Sequence, residues 1–122
     1  MKSLLTKLGA ALLIAGIMAG SSTVFGADWK ELAEATTGVF RYDAASISSP
    51  SQGLLRVWIN NMTKNETSLV DLKCKDNDYR VLSVVQWDEM YRIKDRQDYP
   101  DADWQKISPR SIPEALCMTL SP

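Results

Sequence analysis

Cys74 and Cys117 are the only cysteines of the chain, and the segment far in front of them decides how they are used. Lys2 and Lys7 form a positive amino-terminal region, Leu8 to Ala19 is an unbroken run of apolar and small residues, and small residues recur from Gly20 to Ala27. That is the tripartite form of a cleavable secretory signal. The run ends at Ser21, Ser22 and Thr23, short of the about 20 apolar residues a membrane span needs. An exported chain meets an oxidising compartment, where two cysteines in a small domain pair with each other. A Cys74–Cys117 bridge over so long a loop is worth about 4 kcal/mol on a chain-entropy estimate. That is a large share of the stability of a small domain.

Cleavage is expected after Gly26 or Ala27, with residues 1–27 as signal and 28–122 as one domain. The 122-residue chain less its first 27 residues leaves 95, a size that buries only about two thirds of its unfolded surface. No cysteine ends the apolar run to carry a lipid, so the product is expected without a stable membrane anchor, soluble in the periplasm or secreted. Taking Lys2 and Lys7 from 14 basic residues, against 15 acidic ones, leaves a formal charge of −3. So mild an acidic balance excludes nucleic acid and anionic membrane as default partners.

The mature chain is punctuated like antiparallel β structure. Val39 to Asp43 predicts a short strand, and Ser48 to Gly53, with Pro50, a loop. Leu54 to Asn61 alternates, with Leu55, Val57 and Ile59 on one face and Leu54, Arg56 and Trp58 on the other. A polar turn comes next, over Asn60 to Glu66. Thr67 to Lys75 alternates most cleanly, placing Val70, Leu72 and Cys74 together. Tyr79 to Trp87 carries apolar residues on both faces, Leu82 and Val84 on one and Val81 and Val85 on the other, as a doubly covered strand does. Asp88 to Asp103 has neither periodicity and reads as a surface excursion, and Trp104 to Ile107 as a last short strand.

Ser111-Ile112-Pro113-Glu114 has the spacing of a capping box with proline in the first turn. Ile112, Leu116 and Leu120 then align, with Cys117 beside them. So short a helix is unstable alone; packing on the sheet and the bridge to Cys74 would hold it. Asp28 to Ala35 is ambiguous. Its residues alone suit a capped helix.

The chain has no histidine. That removes the usual general base, the usual zinc ligand and a histidine axial ligand for haem. With both cysteines bridged, no thiol nucleophile is left, and no glycine-rich phosphate loop is present. Asp95, Asp98, Asp101 and Asp103 do not match a calcium-loop spacing and read as a solvated loop. No catalytic, metal or cofactor site is expected, and the chain is read as no enzyme. Trp58 and Trp87 are the candidate binding residues. An aromatic exposed on a sheet suits partner recognition, although a tryptophan in a small domain is more often core.

An ordered set of pieces runs through the chain: Tyr42-Asp43-Ala44-Ala45-Ser46-Ile47, Arg56-Val57-Trp58, Asp71-Leu72-Lys73-Cys74, Arg80, Leu82-Ser83, and Trp104-Gln105-Lys106-Ile107-Ser108-Pro109-Arg110-Ser111-Ile112-Pro113-Glu114-Ala115-Leu116-Cys117. Over Trp29 to Cys117 it resembles the bacterial surface-adhesin protein E family. The resemblance implies an α+β fold, an antiparallel sheet of about six strands with a disulfide-linked C-terminal helix packed on it. It also implies that Trp29 to Ala35 is the first strand. The functional expectation is an exported, non-catalytic binding domain whose sheet face or edge contacts another protein, a second copy of itself included. The alternative is a periplasmic binder of a small ligand or envelope polymer at a sheet face lined by Trp58 or Trp87.

Overall fold

β-Branched and aromatic residues recur along most of the chain, and extended backbone accounts for most of it. The structure, a computed structural model, describes residues 28–35 and 38–121; the expected signal over residues 1–27 lies outside them. The described residues form strands β1 (Trp29–Ala35), β2 (Gly38–Asp43), β3 (Ser48–Ser51), β4 (Leu54–Asn61), β5 (Glu66–Lys73), β6 (Asp78–Trp87), β7 (Ile93–Asp98) and β8 (Gln105–Lys106). The helix α1 (Ile112–Leu120) closes the order. The segment with helical propensity is thus a strand, β1, because its pairing with β2 outweighs local preference.

All pairings are antiparallel, in the order β1-β2-β4-β5-β6-β7, with β3 on β4 and β8 on β6. The expectation of about six strands is corrected to eight. The sheet is nonetheless six strands wide, because β3 and β8 continue positions already begun. One edge of β4 is taken by β5; the other is shared by β2, opposite Ile59, Asn60 and Asn61, and β3, opposite Leu54 and Arg56. In the same way β7 and β8 share the outer edge of β6.

The first interruption is the 3-10 turn Ala44–Ser46. Asp43, 1% exposed, accepts the Asp28 and Ala45 N–H groups at 3.1 and 3.0 Å. The Ser46 hydroxyl donates to the Asp43 carbonyl and accepts the Trp58 N–H at 3.0 Å. It thus satisfies the β4 donor that the gap between β2 and β3 leaves without a strand partner.

Three readings of the sequence change. Ser48 to Gly53, expected as a loop, contains β3. The expected excursion Asp88 to Asp103 contains β7, whose six side chains are all exposed; with neither face buried, no alternation could mark it. The third change lies in β6. The β5–β6 register passes from Leu69↔Ser83 to Val70↔Val81, so Leu82 is an extra, bulged residue. The bulge reverses the facing of the rest of the strand. Val81 packs with Val57 and Val70 beneath α1, whereas the fully buried Val85 lies opposite Thr67 on the other face.

The core joins Tyr42, Val57, Ile59, Val70 and Leu72 from the sheet to Leu116 of α1, with Leu32, Ile112, Cys117 and Leu120 packed against it. Leu32 is the extra residue at a bulge in β1. Ser111 caps α1 by accepting the Glu114 N–H at 3.3 Å, and the Glu114 carboxylate accepts from Arg110 N–H at 2.7 Å. The carboxylate therefore reaches one residue beyond the cap. Cys74, just after β5, is bonded to Cys117 with their Cα atoms 5.7 Å apart.

Because α1 is only nine residues long, the bridge and one apolar stripe carry most of its attachment. Reduction, or the Cys117→Ser substitution, is expected to lower unfolding free energy by about 2–4 kcal/mol. Helical circular dichroism should weaken before the β signal. Chemical denaturation with and without reductant measures this; coincident curves would remove the bridge from the account of stability.

Candidate functional site

The helix covers one face of the sheet, and cross-strand register assembles two polar constellations on the opposite face. Arg56, Asp71 and Arg80 stand directly opposite one another on β4, β5 and β6. Asp71 is fully buried. Its carboxylate accepts from Arg56 Nε and Nη2 at 2.7 and 3.0 Å, and from Arg80 Nε at 3.2 Å. The bidentate geometry and charge assistance make these strong contacts. They raise the Arg56 pKa above its ordinary value, the Asp71 hydrogen bond outweighing partial desolvation. Trp104 lies against this group, its ring 4.3 Å from both the Lys73 ammonium and the Arg80 guanidinium, a cation–π arrangement. The group has the marks of a structural clamp, with every carboxylate oxygen occupied.

The second constellation is open. Arg41, Asn60, Thr67 and Val85 are successive direct partners across β2, β4, β5 and β6. Around the first three lies a cleft of ≈ 320 Å³ lined by Trp29, Arg41, Asn60, Asn65, Thr67, Trp87 and Tyr91. Small-molecule sites start at about 300 Å³. Hydrogen bonds fix the cleft floor. Trp87 Nε1 donates to Thr67 Oγ1 at 2.9 Å, and Asn60 Nδ2 donates to the same oxygen at 3.2 Å and to the Glu66 carbonyl at 3.3 Å. Asn65, at φ 55, donates through Nδ2 to the Trp87 and Asp88 carbonyls at 3.0 and 3.1 Å. Asparagine tolerates this left-handed backbone better than most residues.

Arg41 is the one charged residue lining the cleft among the described residues. Its guanidinium lies 5.4 Å from the centre of the Trp29 ring. Its Nε is buried without a hydrogen-bond partner among the described residues. Such an orphaned donor is costly unless something satisfies it.

Tyr91 enters from the β6–β7 turn, 80% exposed, beside Met90, 70% exposed. It is held at φ 60, a conformation that costs roughly 1–2 kcal/mol for an L-residue with a Cβ. Asp88 holds it there: the carboxylate accepts Met90 and Arg92 N–H at 2.8 and 2.9 Å and Arg92 Nε at 3.0 Å, and the Asp88 carbonyl accepts Tyr91 N–H. These bonds, led by the Arg92 backbone N–H, hold the Asp88 carboxyl below its ordinary range. At the other end of β7, the Ser83 hydroxyl at 2.7 Å, then Arg96, does the same for Asp98.

Of the two tryptophans singled out by sequence, the structure brings Trp87 to the cleft. Trp58, half-buried opposite Leu69 on the same face, does not line it. Asp95, Asp98, Asp101 and Asp103 do not converge, and no group of three or more metal-ligating side chains occurs among the described residues. Sequence reasoning missed Trp29, Arg41, Asn60, Asn65, Thr67 and Tyr91. Arg41, Asn60 and Thr67 meet only through strand register, so their spacing along the chain carries no signal.

The buried clamp and the two depressed carboxyls each bear on stability. Asp71→Ala leaves two partly buried arginines without their shared anion and is expected to destabilise the fold by about 3 kcal/mol in urea titration. Arg56→Leu should cost distinctly less, since Arg80 remains paired; equal costs would deny the shared carboxylate its central place. Asp88 and Asp98 both have depressed pKa values in the folded chain. Their contribution to stability is present above the ordinary carboxylate range and is lost as pH falls through it toward the folded values. Amide protection factors, corrected for intrinsic exchange, should therefore fall in the β6–β7 hairpin on acidification before they fall in β4 and β5. A simultaneous fall would count against it.

No family model, curated protein or solved structure matches the chain.

Proposed function

We propose that the chain is an exported, non-catalytic binding domain of the surface-adhesin protein E type, and that it recognises a small ligand or a segment of an envelope polymer through the cleft on its helix-free face. The cleft carries this reading. Three aromatic rings surround a floor of amide, hydroxyl and guanidinium groups, and one of those rings is held on a left-handed backbone at a cost in stability. Strain that persists at an exposed position is a reason to look for function there. Export is supported by the signal pattern and by the formed disulfide. No helix among the described residues is long and apolar enough to cross a membrane. The non-catalytic reading rests on the absence of histidine from the sequence and on the engagement of both cysteines.

Docking of a protein at β7, a second copy of the chain included, is the second reading. β7 ends the strand order and is exposed throughout. Its charges, Lys94, Asp95, Arg96 and Asp98, are of the kind that discourage edge pairing, which places this reading behind the cleft.

Tryptophan fluorescence during titration with soluble envelope fragments tests the first reading. Saturable quenching is expected, weakened by Trp87→Ala through the loss of aromatic contact, worth about 0.5–1.5 kcal/mol beyond its area. Tyr91→Gly should weaken binding without destabilising the fold, because glycine accepts the left-handed backbone. Binding that ignores both substitutions but fails when β7 is altered would transfer the function to the edge.

A further inference from the structure

The chemistry of the cleft narrows what it accepts. The inference rests on the cleft being the binding site. Among the described residues no carboxylate lines it, although the mature chain carries more acidic than basic residues. Glu31 faces Arg41 across the β1–β2 register but is exposed and outside the lining. Asp88, behind Tyr91, is engaged by Arg92. The cleft is therefore a small positive site in an acidic domain, and its charge belongs to a guanidinium with an unmet donor.

The neutral groups have a direction as well. The amide nitrogens of Asn60 and Asn65 are engaged within the protein, as is the indole N–H of Trp87. What the two asparagines retain for a ligand is their carbonyl oxygens, which are acceptors. A ligand that satisfies the site must present an anion to Arg41, several hydroxyl or amide donors to Asn60 and Asn65, and an apolar face to the rings of Trp29, Trp87 and Tyr91. A purely aromatic acid lacks the donors. A phosphate alone lacks the apolar face. A pyranose ring carrying a carboxylate has all three, with hydroxyls at its edge and C–H bonds across its face.

We propose that this cleft binds an acidic sugar unit, with the carboxylate on the Arg41 guanidinium and the ring stacked on the Trp87 side of the cleft. A volume of ≈ 320 Å³ suits a short unit rather than a long oligosaccharide, so a polymer would be held by one of its residues. Two kinds of polymer supply this chemistry, those built of uronic acids and those carrying muramic acid whose lactyl carboxylate is free of a peptide amide.

Calorimetric titration of the exported protein with tetragalacturonate, with the neutral galactose tetramer, and with a disaccharide containing N-acetylmuramic acid tests the assignment. At least one acidic probe should bind about tenfold or more tightly than the neutral tetramer, the scale of a hydrogen bond to a charged group. Which acidic probe binds identifies the source. Arg41→Gln should erase that preference while leaving weak sugar binding, and Arg41→Lys should restore part of it. Trp87→Phe, which keeps a ring, should retain binding that Trp87→Ala loses. Equal affinity for acidic and neutral sugars would overturn the proposal, as would a preference that survives Arg41→Gln. If no sugar binds but other envelope fragments quench Trp87, the sugar assignment fails and the cleft stands. If Trp87→Ala leaves every interaction unchanged, both fall.

Discussion

A fully buried carboxylate shared by two arginines holds the three central strands in register. Asp71 reaches Arg56 on one side and Arg80 on the other, so a slip of either neighbouring strand would strand a charge away from water. Such a group contributes little net stability compared with apolar packing of the same volume, but breaking it is costly. Its effect is therefore on specificity. A slip by one residue would exchange the two faces of a strand, and a slip by two would part the acid from its partners. Everything else on the helix-free face inherits that register, including the row Arg41, Asn60 and Thr67.

The opposite face is held by different means. Its single covering helix is short, and the apolar stripe Ile112, Leu116 and Leu120 spans only a few turns. Isolated, such a segment would not persist. Three attachments act on it together: the Ser111 cap, the stripe, and the bond from Cys117 to the end of β5. The helix N-terminus is fixed by hydrogen bonds, its middle by packing and covalent chemistry.

How far the sequence could be read depended on what each element does. Strands whose core residues share one face, Val57 and Ile59 in β4 and Val70 and Leu72 in β5, announced themselves by alternation, and the capped helix by its box and its stripe. The bridge was legible from compartment and count. β7 was invisible because it buries nothing, and β3 because Pro50 and its serines resemble a loop. The bulge at Leu82 could not be seen, since Val81 and Val85 keep the spacing of a shared face while occupying opposite ones. The cleft was legible only at Trp87. Its polar floor is a product of cross-strand pairing, and ordinary asparagine, threonine and arginine residues declare no role until their strands are aligned.

The disulfide also has a topological side. By joining residues 74 and 117 it makes the intervening chain a covalent ring that contains β6, β7 and β8. Trp87 and Tyr91 belong to that ring, whereas Trp29, Arg41, Asn60, Asn65 and Thr67 precede it. The two walls of the cleft thus sit on opposite sides of a seam closed by the hydrogen-bonded β5–β6 ladder, the Arg80–Asp71 pair and the side-chain bonds at Asn65 and Thr67. A ligand lodged between the walls would act as a rivet across the seam, tying the ring to the chain that precedes it.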